Sequence, residues 1–257
     1  MTYETILFDV TDTVATITLN RPDELNAMTD GLFADLTKAL RSLPELGVRA
    51  LLLTGAGRGF CSGASLANGD GLRDVENAVR TGLNVLIEEL YALDIPFVTA
   101  VNGAAAGAGC PLALAGDVVI AGRSAYFLQA FVNVGLIPDG GSSWLLPRLI
   151  GRARTMKMML LAERIPAEQA EQWGMIAQVV EDEALMETAL GVAKRLANGP
   201  TQSYRMIRHA VRAGMESTLS ETLSIEAVNQ GIASRSADFV EGGNAFREKR
   251  KPVFSGK

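Results

Sequence analysis

The sequence predicts an α/β protein whose strand-containing core gives way to a helical C-terminal region. Three observations predict it. Strand-like apolar runs alternate with segments of helical periodicity as far as about residue 195. Two of those runs feed glycine-rich turns, in LLLTGAGRGFCSGA and TAVNGAAAGAGCPLA. Beyond Pro200 the pattern is helical and strand-poor. The chain therefore divides into a core over 1–195 and a helical region over 196–257.

Each element has its own justification. ETILFDV and VATITLN are rich in β-branched residues and flank a turn at TD, which predicts a hairpin. RPDELNA reads as a loop, after which Thr29 or Asp30 can cap a helix through LFADLTKALRSL. RALLLTG, IPFVTAV and DVVIAG are continuous apolar runs, as expected of strands buried on both faces. GAGRGFCSGASLANGDG is a glycine-rich loop, followed by a helix from about Val75 to Leu93 that Pro96 ends. NGAAAGAGC leads into the helix CPLALAG. RTMKMMLLAE, PAEQAEQWG and EALMETALGVAKRLAN have helical spacing, with VVE a last short strand.

Composition excludes several classes of function. A net charge of −5, with the one dense basic run at 247–251, argues against a nucleic-acid partner. No apolar stretch reaches the roughly 18 residues of a membrane span, and MTYETILFDVTD lacks a signal-peptide pattern. A cytoplasmic protein is expected. Cys61 and Cys110 are the only cysteines and His209 the only histidine, which leaves no disulfide framework, metal site or imidazole-based triad in prospect. His209 reads as a surface residue of a helix. Cys61 and Ser62, lacking a histidine base, read as loop packing.

The glycine-rich turns do not suit a dinucleotide. They fall late in the chain, no tyrosine has a lysine four positions on, and DVVIAG lacks the ribose-binding acid at its end. Neither turn contains Gly-Lys-Ser/Thr, so a phosphate-cradling P-loop is excluded too. Together they could hold an oxyanion between backbone N–H groups, one near Gly63-Ala64 and one near Ala108, or simply let strands and helices pack closely. One residue stands out besides. In GLIPDGGSSWLLPR, Asp139 is the only charged side chain between Arg123 and Arg148. It could cap the helix through SSWLLPRL or serve as a lone acid/base group.

ITLNRPDELNAM, LLLTGAGRGFCSGASL, PFVTAVNGAAAGAGCPLALAGDVVIAG and GLIPDGGSSWLLPRLIGRARTMKMML occur here in the order and spacing of the crotonase family, the enoyl-CoA hydratase/isomerase superfamily. ERIPAEQAEQWGMIAQVV and FREKRKPVF extend the resemblance over essentially the whole chain. It implies a ClpP-like superhelix of ββα turns and an acyl-CoA thioester as substrate, with no separate cofactor. It also implies a role in fatty acid metabolism, and a homotrimer or dimer of trimers in which the helical region assembles subunits and covers the site. By the family's patterns the two oxyanion donors fall on Ala64 and on Ala108, where glycine is usual. Substrate contacts are implied at Leu25, Ala27, Ser65, Leu66 and Phe131, with Ser65 replacing a common aspartate. Phe246 and Lys249 match positions that reach the coenzyme, and otherwise read as an apolar anchor and a solvated charge.

The hydratases of the family carry two glutamates. Here those positions hold Pro111 and Phe131, neither of which can take a proton. Isomerases of the Δ3,Δ2-enoyl-CoA and phenylacetate ring-opening kinds carry one acidic residue where Asp139 stands. The expectation is an acyl-CoA isomerase using Asp139, with an enoyl-CoA hydratase or a non-catalytic acyl-CoA-binding protein as alternatives. Arg21 and Arg58 read as solvated or as contacts to the phosphates of CoA, Trp144 and Trp173 as core, and Asn68 and Asp70 as turn formers.

Overall fold

A computed structural model describes residues 2–65 and 74–257. Leu66, Asn68 and Asp70 lie outside the described residues, so the expectations placed on them go no further. The chain opens with a hairpin, β1 (Ile6–Thr11) and β2 (Val14–Leu19), closed by the pair Thr11↔Val14. Its two turn residues, Asp12 and Thr13, both have positive φ, the geometry whose twist matches that of paired strands. The turn thus sits one residue later than the TD reading. Thr29 caps α1 (Asp30–Ser42) by accepting the Leu32 N–H.

From there a strand–strand–helix unit repeats. β3 (Ala50–Gly55) and β4 (Gly59–Cys61) precede α2 (Val75–Ala78), which continues through a π turn into α3 (Asn84–Ala92). β5 (Phe97–Val101) and β6 (Ala104–Ala106) precede α4 (Gly109–Leu114). β7 (Val118–Gly122) and β8 (Tyr126–Leu128) precede a 3-10 turn (Ala130–Val134) and α5 (Ser142–Leu161). Gly151, at φ 74°, kinks α5 and so separates the two helical patterns visible in the sequence. β9 (Ile165–Pro166), α6 (Ala167–Gln172), β10 (Gln178–Val180) and α7 (Leu185–Ala197) complete the core.

The first strand of each unit joins one sheet and the second joins another. The larger sheet has the order β1-β2-β3-β5-β7-β10, parallel apart from the hairpin, and the smaller has β4-β6-β8-β9. The chain therefore winds as a superhelix of ββα turns, as the resemblance implies. β3 and β5 are buried along their whole length, as their unbroken apolar runs require. One face of the large sheet packs on α7, where Ala189, Ala193 and Ala197 recur every fourth residue and admit close approach. β4, β6, β8 and β9 occupy what reads in the sequence as loop. They are two or three residues long, and their pairing is set by neighbouring turns rather than by alternation.

The chain ends in three helices, α8 (Thr201–Gly214), α9 (Leu219–Ala233) and α10 (Ala237–Glu248). Arg208 pins α8 to the core, donating to the Leu90 and Leu93 carbonyls and pairing with Asp117. The final residues fold back. Arg49 donates to the carbonyls of Gly199 and Phe254, and Asp238 accepts the Ser255 and Gly256 N–H groups.

Candidate active site

Two backbone turns meet at the ends of β4 and β6. Gly63, at φ 92°, turns the chain after Cys61, and Gly107, at φ 51°, turns it after Ala106. A Cβ at Gly63 would lie 2.8 Å from the Ala106 carbonyl oxygen and 3.2 Å from the Ala108 nitrogen, so only glycine lets the turns touch. The first turn is braced by residues 25–28. Ser62 N–H donates to the Leu25 carbonyl, Met28 N–H to Gly63, and Ser65 N–H to Met28. The second is held by Gly107 N–H on the Leu128 carbonyl. The Ala64 and Ala108 N–H groups have no partner among the described residues. Ala108 has φ −62° and ψ −20°, ordinary helical values that alanine adopts without strain.

The two alanines border a cavity of about 200 Å³. Phe33, Val79, Leu83, Phe131, Val134 and Leu136 give it an apolar lining. Ser62, Ser65 and Asp139 are its polar side chains among the described residues. Asp139 is delivered by the loop between the 3-10 turn and α5. Gly140, at φ 56°, seats that loop, because a Cβ there would lie 2.8 Å from the Pro111 ring and 3.4 Å from Leu83. Pro111 thus serves as the floor under the Asp139 loop.

Asp139 does not cap α5, which begins after Gly141 with no side-chain cap. Its Oδ1 is buried without a partner among the described residues. Burial pushes its pKa up to about 6, opposed by its own backbone N–H. It is the only titratable side chain among the described residues that line the cavity. Such an arrangement can hold a negative oxygen on two N–H groups and move a proton through one carboxylate.

Of the residues singled out in the sequence, Ala64, Ser65, Ala108, Phe131 and Asp139 come together here. Leu25 braces the first turn by accepting the Ser62 N–H, Ala27 bonds back to the Glu24 carbonyl, and neither lines the cavity. Phe246 and Lys249 stand apart from it on the last helix. Phe246 is 86% exposed, and Lys249 ends α10 in a left-handed conformation. Burial holds the Cys61 thiol up at about 12, which keeps it out of nucleophilic chemistry. Sequence reading missed Phe33, Val79 and Leu83, whose helical apolar spacing looks the same whether a face meets core or cavity.

This fold and cavity place the chain in a family of acyl-CoA enzymes. The chain belongs to the enoyl-CoA hydratase/isomerase family, whose model matches residues 9–257. It is similar to the 1,2-epoxyphenylacetyl-CoA isomerase of Escherichia coli (strain K12), 47% identical over 99% of both chains. A Rhodobacter capsulatus protein named "probable enoyl-CoA hydratase" is 45% identical over the full length of both. Among solved structures, the enoyl-CoA hydratase of Bacillus anthracis superposes with a TM-score of 0.94, at 32% identity, covering 99% of this chain and all of the other. No helix of the described residues is long and apolar enough to cross a membrane, and no group of candidate metal ligands occurs among them.

Proposed function

We propose that the protein is an acyl-CoA isomerase that shifts a carbon–carbon double bond with Asp139 as its single acid/base group. The observation that carries this is the lone carboxylate in an apolar cavity; the positions where the family resemblance expects the hydratases' two glutamates hold Pro111 and Phe131. Asp139 removes a proton from C2 of a 3-enoyl thioester. The thioester oxygen takes up the negative charge and rests on the N–H groups of Ala64 and Ala108. Asp139 then returns the proton to C4, and the double bond closes between C2 and C3. A raised pKa makes the carboxylate a stronger base than a solvated one while leaving it mostly ionised at pH 7.

Hydration is the second reading, and the name of the Rhodobacter relative favours it. Adding water needs one group to deprotonate it and another to protonate Cα. The cavity supplies one such group among its described residues. The E. coli relative's name makes 1,2-epoxyphenylacetyl-CoA a second substrate to try, and the phenyl rings of Phe33 and Phe131 suit a flat ring. The same reading includes assembly as a homotrimer or dimer of trimers through the helices of residues 196–257, and a cytoplasmic setting.

The test follows absorbance of the conjugated thioester with 3-hexenoyl-CoA and with 2-hexenoyl-CoA. Isomerisation raises the signal from the first substrate, and Asp139→Asn lowers kcat by about 10³-fold with KM nearly unchanged. Loss of signal from the second substrate, untouched by Asp139→Asn, would mean hydration. Binding of acyl-CoA without turnover of these or the epoxide substrate would mean a non-catalytic binder.

A further inference from the structure

We infer that Gln129 is a positioning residue that fixes the Asp139 carboxylate relative to the Ala64/Ala108 amide pair; this rests on the acid/base reading of Asp139. Gln129 follows β8, is fully buried, and is absent from the residues lining the cavity. Its Nε2 donates to Ser142 Oγ at 3.2 Å. Ser142 is itself buried, and its backbone N–H donates to the Asp139 carbonyl at 3.0 Å. On its other side Gln129 faces the buried Cys110 thiol, two residues beyond Ala108. One amide thus lies between the helix that begins at Ala108 and the loop that carries Asp139. Those are the two halves of the proposed reaction centre.

A purely structural role fits the burial poorly. The group facing the Gln129 amide besides Ser142 is the Cys110 thiol, a weak donor that leaves Oε1 without a full-strength hydrogen bond, and neither water nor a ligand group can reach a fully buried side chain easily. Burying a poorly satisfied amide oxygen is unfavourable, and an apolar residue of similar length would fill the same space without that cost. What an apolar residue cannot do is hold Ser142 by a directed bond. Reaction rates fall steeply when a reacting group is misplaced by even an ångström. No charged side chain among the described residues lining the cavity competes for control of Asp139, so its depth in the apolar wall governs its proton affinity.

The experiment titrates the Asp139 carboxyl directly, by ¹³C NMR of protein labelled at aspartate Cγ, with Asp139→Asn assigning the signal. Gln129→Met and Ser142→Ala cut the same bond from opposite ends, the first with nearly unchanged volume. In both variants the loop relaxes toward solvent, so the titration midpoint falls by about one unit. Isomerase kcat falls about tenfold while KM for the acyl-CoA holds. Thermal stability of Gln129→Met changes little, because removing the poorly satisfied Oε1 offsets the donor that Ser142 Oγ loses. A midpoint unchanged in both variants overturns the inference, whatever happens to stability. Full activity in Asp139→Asn would instead defeat the acid/base reading, and the titration would still decide whether Gln129 holds the carboxyl in place.

Discussion

At the scale of single residues, the acid/base role proposed for Asp139 would link activity and stability through one proton. Burial raises its pKa to about 6, so lowering the pH below that value protonates the base. The acid limb of kcat/KM is expected to have its midpoint near pH 6, and a limb near pH 4 would mean that a solvated group does the chemistry. Stability has the opposite sense. The folded state binds this proton more tightly than the unfolded chain, so stability is fully present below the unfolded value of 3.8 and declines as pH rises through about 6. At pH 7 the ionised group is a burden. Asp139→Asn therefore gains about 1 kcal/mol in urea unfolding at pH 7, after discounting for partial exposure, and nothing near pH 4. Asp139 was visible in the sequence because it is the only charge in a long uncharged stretch. Its lack of a capping role was not, since capping depends on where α5 starts.

At the scale of elements, the meeting of two turns is the feature most sensitive to a small change. Gly63→Ala must adopt a left-handed φ and place a methyl against the Ala106 carbonyl and the Ala108 nitrogen. We expect a loss of about 1–3 kcal/mol in stability, with kcat reduced by more than tenfold in the protein that remains folded. A loss of stability with normal kcat would show that the spacing of the two amides is unimportant. The long strands β3, β5 and β7 were legible because burial on both faces leaves an unbroken apolar run. β4, β6 and β8 were not. GFC, AAA and YFL carry no alternation, and they extend because the adjacent ββα turn presents an edge to pair with.

At the scale of the whole molecule, the terminal helices are fastened to the core at few points. Arg208 is the main one, with its side chain 6% exposed and paired to Asp117. Arg208→Met leaves Asp117 to the Phe97 N–H alone and is expected to cost about 3 kcal/mol in urea unfolding. An unchanged transition would mean that α8 is held by apolar packing. The same helices expose Ile207, Val211, Leu219, Leu223 and Phe239, which is unusual for a surface that meets only water. Sedimentation equilibrium tests the proposed homotrimer or dimer of trimers, with three or six chain masses expected at micromolar concentration and one overturning it.

The sequence by itself determined the family, the β-then-helix order along the chain, and the isolation of one carboxylate in an uncharged stretch. These depend on local residue types, their spacing, and positions where an acid is missing. Only the tertiary structure decided which helical faces line the cavity, that Asp139 leaves its helix uncapped, and that Gln129 lies between the two halves of the site. Each of these depends on distances between segments far apart in the chain. Apolar periodicity reports that a face is buried, and packing alone specifies what it is buried against.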